Sequence, residues 1–103
     1  MALTVRRNRN ENDTADISSA ITLNPTTTTT IISANTARIY FTFNNPSNKN
    51  VWLKLQAASV DNDKKGIFVE KGDPWVMPPD NIYDGEISAI ADVDAPDVYY
   101  TEY

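Results

Sequence analysis

Residues 83–103, which read YDGEISAIADVDAPDVYYTEY, decide the fold class of this chain. Apolar and polar side chains alternate on both sides of a short acidic turn centred on Ala95 and Pro96. A period of two residues is typical of β-strands that bury one face. The segment therefore predicts two half-buried antiparallel strands joined by a turn.

The same alternation recurs in residues 37–43 and 51–57, on either side of the asparagine-rich stretch 44–50. Asparagine, proline and serine are turn formers, so this region predicts a β-hairpin. The alternation places Arg38 on the solvent side of the first strand. In the second strand it places Leu55 on the core side.

No window of ten residues has the 3.6-residue period of an amphipathic helix, and short strand signals separated by turns fill the rest of the chain. The sequence therefore predicts an all-β fold, a single-domain antiparallel β-sandwich or flattened barrel of about seven to eight short strands. Residues 1–16 include a long polar run and are predicted to form an N-terminal arm that is flexible or ordered by a partner. Residues 17–103 are predicted to form the β-sandwich domain.

The composition excludes most kinds of active site. The chain has 103 residues, no histidine and no cysteine. It therefore lacks the usual general base, the thiol nucleophile and the commonest ligands of transition metals. We expect no enzymatic activity and no cofactor.

Charge is distributed unevenly along the chain, which carries a net charge of -5. Arg6, Arg7 and Arg9 lie in an N-terminal stretch without acids, whereas residues 73–103 hold eight acids and no lysine or arginine. An acidic body repels phosphate backbones, so nucleic acid is not an expected partner, while the basic arm suits an anionic one. No apolar run has the length of a signal peptide or membrane span, which predicts synthesis in the cytoplasm and no membrane partner.

Two acidic stretches were candidates for metal or carboxylate chemistry. Residues 61–66 begin like a calcium-binding loop, but the fifth position is lysine and the twelfth, Gly72, replaces the bidentate glutamate. Asp92, Asp94 and Asp97 lie at a turn, where aspartate is favoured by its bonds to the local backbone. We therefore expect no metal site.

Aromatic side chains on the solvent side are the best candidates for a binding surface. Trp52 lies on the face opposite its aliphatic neighbours, and Tyr99 and Tyr103 share the outward face of the last strand. With Trp75, they are predicted to form an oligomer interface. Stacking on sugar rings and burial under a second apolar layer are the alternatives.

Beyond these patterns, the order of features from Asn35 onward resembles a group of small virion structural proteins of tailed bacteriophages. The resemblance covers about two thirds of the chain, and it rests on the order of five segments. These are an Asn-x-x-Arg step at 35–38, an asparagine-rich turn at 44–51, a glycine turn before an aromatic at 72–75, the run 83–90, and a final strand at 98–103 that ends in Thr-Glu-Tyr.

The resemblance implies a head decoration or cement protein, located on the capsid surface of the virion. Such a protein binds the major capsid protein lattice and stabilises the head. A symmetric oligomer suits that role, and a homotrimer fits local threefold positions. The basic residues Arg6, Arg7 and Arg9 would then contact an acidic patch of the major capsid protein. A host-surface, carbohydrate-binding or tail-associated module is the alternative.

Overall fold

The computed structural model describes residues 17–60 and 63–103, and in these residues the chain forms eight β-strands and no helix. The strands are β1 (Ile17–Thr22), β2 (Thr29–Ile32), β3 (Phe41–Asn44), β4 (Val51–Lys54), β5 (Ile67–Val69), β6 (Pro74–Val76), β7 (Ile87–Ala91) and β8 (Asp97–Glu102). The prediction of an all-β fold is confirmed.

The strands form two antiparallel sheets of four strands each. The first sheet has the order β1-β8-β3-β6, and the second sheet has the order β2-β7-β4-β5. A single buried cluster takes side chains from both sheets, so the two sheets form one β-sandwich.

The pairing of the strands is nested. β1 pairs with β8, β2 with β7, β3 with β6, and β4 with β5, as if one long hairpin with its tip between β4 and β5 had been wound into two layers. The pairs β3 with β8 and β4 with β7 then join these ribbons into sheets. An eight-stranded double sheet with this connectivity is a jelly roll.

The core follows the alternation of the strands that face each other. Phe41 and Phe43 of β3 are fully buried, and so is Val98 of β8, because their side chains point between the sheets. The rings of Phe41 and Tyr100 are nearly parallel, with their centroids 6.1 Å apart. The other buried apolar residues of the cluster are Leu23, Ile31, Ile32, Val51, Leu53, Val69, Met77, Ile87, Ala89 and Ala91.

Both predicted hairpins are wrong, although the turns are where the sequence places them. β3 and β4 belong to different sheets, and so do β7 and β8. Residues 45–50 and 92–96 therefore carry the chain from one sheet to the other. Alternation shows which face of a strand is buried but not which strand it pairs with, and both arrangements bury the same face.

The phase of the alternation is also wrong at two places. β3 begins only at Phe41, after a turn at residues 36–37, so that Arg38 is buried and Ile39 is exposed. β4 ends at Lys54, and Leu55 is exposed beyond it. Residues 1–16, predicted as an arm, lie outside the described residues.

Candidate functional site

Arg38 lies at the centre of a buried polar cluster at one end of β3. Its Nε donates to Oε2 of Glu102 at 2.7 Å, and both side chains are almost fully buried. Its other nitrogens donate to the backbone carbonyls of Tyr83, Gly85 and Ser33 at 2.6 to 3.0 Å. The planar fork of the guanidinium group allows one side chain to satisfy four acceptors at once.

This cluster joins three of the five segments that carry the phage resemblance. Asn35 and Arg38 form a β-turn in which the Arg38 N–H donates to the Asn35 carbonyl, and the Asn35 side chain accepts from the N–H of Ala37. Gly85 comes from the run at 83–90, and Glu102 from the final Thr-Glu-Tyr. These segments are distant in sequence, and the guanidinium group of Arg38 bonds to two of them, beside backbone hydrogen bonds such as that from the N–H of Asn35 to the carbonyl of Asp84.

Asn45 forms a second buried polar cluster at the opposite end of β3. Its side-chain amide nitrogen donates to the carbonyls of Lys49, at 2.7 Å, and Val69, at 3.2 Å, and its Oδ1 accepts from the hydroxyl of Ser47. The backbone of Asn45 also bonds to residues 72 and 73. The remaining two segments of the resemblance, 44–51 and 72–75, therefore meet here.

The two clusters have a structural role, because their polar groups are directed at other groups of the same chain and are buried. Among the described residues, no group of three or more histidine, cysteine, aspartate or glutamate side chains could hold a metal ion. No helix in the described part of the chain is long and apolar enough to cross a membrane. The candidate sites are therefore the outer faces of the two sheets.

The outer face of the second sheet carries a row of apolar side chains. Phe68, Trp52 and Ile90 are paired across β5, β4 and β7, on the side opposite the core residue Leu53. Burial decreases along the row, since Ile90 is fully buried, Trp52 is half-buried and Phe68 is 53% exposed. The ring centroids of Trp52 and Phe68 are 5.4 Å apart, and the ring planes are inclined by 52° to each other. We call this pair the aromatic patch.

Ile90 is buried on an outer face because residues 55–60 cross over β7. The hydroxyl of Ser88, on that face, donates to the carbonyl of Gln56 at 3.0 Å. Ser59 and Thr28 then exchange hydrogen bonds farther along the segment. A hydrogen-bonded segment thus covers the outer face of β7, while the aromatic patch remains at the edge of the sheet.

The outer face of the first sheet has few charged groups among its described side chains. Tyr99 is 47% exposed and Val76 is 52% exposed. The other outward residues with described side chains are Ala20, Thr22, Thr42, Asn44, Pro74, Asp97 and Thr101. Asp97 is the only ionisable group among them besides Tyr99, and it accepts a hydrogen bond from Thr22. We call this surface the neutral face.

The predicted interface residues do not lie on one surface. Trp52 belongs to the aromatic patch and Tyr99 to the neutral face, on opposite sides of the sandwich. Trp75 is half-buried and packs against the core, paired with Phe43, so the expectation that it points outward is wrong. Tyr103 is half-buried, with its ring 6.1 Å from that of Tyr40. The predicted capsid contacts Arg6, Arg7 and Arg9 lie outside the described residues.

Glu86 has a carboxyl group whose pKa is lowered by hydrogen bonds to two other segments of the chain. Two donors, the N–H of Ala58 at 3.1 Å and the hydroxyl of Thr30 at 2.8 Å, both bond to its Oε2. These bonds favour the ionised form and lower its pKa below the ordinary value of 4.5, although desolvation opposes them. Glu86 thus fastens residues 55–60 to the second sheet.

We expect the Glu86→Gln variant to be less sensitive to acid than the unmodified protein. Because the pKa is lower in the folded state, the ionised group adds stability above its unfolded pKa, and this is lost as the pH falls through the folded pKa. Urea unfolding at about pH 6 and about pH 3 measures the difference, with Asp80→Asn as a control for net charge. If the unmodified protein and Glu86→Gln lost the same unfolding free energy between these two pH values, the lowered pKa of Glu86 would be contradicted.

Comparisons with known proteins do not connect this chain to a family. No protein family, no curated protein and no solved structure matches the chain.

Proposed function

We propose that this protein is a structural component of a tailed-bacteriophage virion, a capsid decoration or cement protein. It binds the major capsid protein lattice as a homotrimer on the capsid surface and stabilises the head. The observation that carries the proposal is a pair of separate contact surfaces, the aromatic patch and the neutral face, on opposite sides of a rigid sandwich. A cement protein needs one surface for its own copies and another for the shell.

The neutral face suits contact between copies of the chain. Each copy has a net charge of -5, so most contacts between two copies bring like charges together. The neutral face, around Tyr99 and Val76, avoids that repulsion and presents exposed apolar side chains. The aromatic patch of Trp52 and Phe68 is then left for the shell.

The fold and the order of the sequence motifs support the same proposal independently of the two surfaces. Jelly rolls are common in viral capsid proteins, although the fold alone does not decide function. All five segments of the phage resemblance are used to build the two buried clusters. A trimer would also combine three weak contacts with the shell, which raises the apparent affinity of the attachment.

A binding experiment tests the proposal. We expect the purified protein to have three times the mass of the 11.5 kDa chain in light scattering and to co-sediment with shells of the major capsid protein. Tyr99→Ser with Val76→Ser should break the trimer, and Phe68→Ser should weaken shell binding. Val60→Ser is the matched control, because Val60 is exposed but lies outside both surfaces.

A monomer that does not bind shells would overturn the proposal. The arm is tested separately by deleting residues 1–16, which should weaken shell binding and reduce its dependence on salt, because Arg6, Arg7 and Arg9 are removed. Unchanged shell binding would refute only the role of the arm and would leave the rest of the proposal standing.

The aromatic patch also favours a second candidate function, the recognition of carbohydrate on a host surface. Jelly rolls include lectin domains, and exposed aromatic rings stack on sugars. Binding to a glycan array that is lost in Trp52→Ala, together with no binding to shells, would favour this function over the first.

A further inference from the structure

Lys54 is a buried lysine that has no partner among the described residues. It is the last residue of β4, paired with Ser88, and its side chain lies on the outer face of the second sheet. Only 6% of Lys54 is exposed. In the part of the chain that the structure describes, its ammonium group takes part in no hydrogen bond or ion pair. Lysine is almost never buried to this extent unless it is paired.

The same side chain lines a cavity of about 280 Å³. Gln56, Asp63, Lys65 and Gly66 also contribute to its wall. The cavity is next to the aromatic patch, because Trp52 precedes Lys54 by two residues on one face of β4 and Phe68 follows Gly66 by two residues. The rings do not line the cavity themselves, so a ligand would have to extend beyond it to meet them.

Gly66 keeps the wall of the cavity open beside the lysine. Its φ is 122°, a conformation that other residues rarely adopt. A Cβ at this position would lie 2.6 Å from the carbonyl oxygen of Leu53 and 3.2 Å from Cγ of Lys54. The absence of a side chain is thus what makes room for the stem of Lys54.

The charges around the cavity do not balance. The Nζ of Lys65 is 3.6 Å from a carboxylate oxygen of Asp63, so these two groups compensate each other. Among the described residues that line the cavity, the charge of Lys54 then remains without a matching carboxylate. A singly charged anion fits this site better than a phosphate, which carries more than one charge at neutral pH and would be repelled more strongly by Asp63.

We propose that this cavity binds a carboxylate group, with Lys54 as its counter-ion and the aromatic patch in contact with the body that carries it. The carboxylate belongs either to an acidic side chain of a protein partner or to a sugar acid, and the chemistry at Lys54 is the same for both. The inference goes beyond the proposed function and stands without it, because it concerns a site on the isolated chain.

NMR titration of the full-length, ¹⁵N-labelled protein tests the site. The probes are N-acetylglutamate N-methylamide, glucuronate and inorganic phosphate. We expect at least one of the carboxylates to shift the amide signals of Lys54 and Gly66 saturably, and to bind more tightly than phosphate. Lys54→Met should weaken that binding by about tenfold or more, since a charge-assisted contact is removed.

Two controls keep the test decisive. Lys71→Met removes an exposed lysine beyond the other end of β5 and should leave binding unchanged. Lys54→Met should also raise the midpoint of thermal unfolding, because methionine fills the site without an unpaired charge. This second readout shows that the variant is folded.

Each outcome has a defined meaning. Binding of the glutamate analogue alone assigns the site to a protein partner, and binding of glucuronate alone assigns it to a sugar acid. Tighter binding of phosphate, no saturable binding of either carboxylate, or undiminished binding by Lys54→Met would overturn the proposal. None of these results depends on whether the protein decorates a capsid.

Discussion

Replacement of Arg38 by methionine is expected to reduce the free energy of unfolding by about 3 to 5 kcal/mol, the range for breaking one side of a buried ion pair. Methionine preserves much of the apolar stem but provides no donors. The carboxylate of Glu102 would then be buried without its cation, and the carbonyls of Tyr83, Gly85 and Ser33 would lose a shared donor. Urea unfolding at neutral pH measures the change.

An exposed ion pair provides the matched control. Lys49 Nζ lies 3.2 Å from a carboxylate oxygen of Asp94, and both side chains are partly exposed. Lys49→Met should therefore cost less than about 1 kcal/mol, as exposed pairs generally do. If Arg38→Met cost no more than Lys49→Met, the buried cluster would not hold the sheets together.

The lysine variant separates charge from geometry. Arg38→Lys keeps the positive charge, but its single ammonium group cannot reproduce the planar fork that serves four acceptors. We expect its stability to lie between that of the unmodified protein and that of Arg38→Met. Full stability of Arg38→Lys would mean that charge alone accounts for the cluster.

Asn45→Asp should be the second strongly destabilising change, with an expected cost of about 3 kcal/mol. The substitution is nearly isosteric, but it replaces an NH₂ donor by an oxygen that faces the carbonyls of Lys49 and Val69. It also places a negative charge at a fully buried position. The effect is measured as the shift in the urea midpoint at neutral pH.

Asn44 offers an internal control for this experiment. It precedes Asn45 directly and is exposed at the end of β3. Asn44→Asp makes the same chemical change and adds the same net charge, and we expect it to alter stability by less than about 0.5 kcal/mol. Similar losses for the two variants would show that net charge, not the buried hydrogen bonds, is responsible.

Local patterns in the sequence were sufficient for the fold class. A residue such as Phe41 or Val98 is buried because its strand has one face toward the core, and that periodicity is visible without any tertiary information. Turns were also located correctly, because asparagine and proline restrict the backbone locally. The exposed position of Tyr99 follows from the same alternation.

Arg38 shows why burial could not always be predicted. In sequence it alternates with apolar neighbours and has the position of a solvent-facing residue. Its burial depends on Glu102, Gly85 and Ser33, whose approach becomes apparent only when β8 and the loops are in place. The motif order contained a signal, since Asn-x-x-Arg and Thr-Glu-Tyr occur together, but it did not indicate contact between them.

Lys54 is a similar case among the candidate site residues. The alternation predicted over residues 51–57 places Lys54 opposite Leu53 and Leu55, on the solvent side, and its burial results from the crossing of residues 55–60 and from the missing side chain of Gly66. The aromatic residue Trp52 could be assigned to the outer face by alternation. Its neighbour Phe68 could not, because the short β5 has too few residues for a pattern.

The sequence by itself determined the all-β class, the sites of the main turns and the face of most strand residues, because these depend on interactions within a few residues along the chain. Only the tertiary structure decided which strands pair, since the nested ladders join residues as distant as Thr22 and Asp97. It also decided which polar groups are buried, because the free energy of a buried charge depends on partners that folding brings from elsewhere.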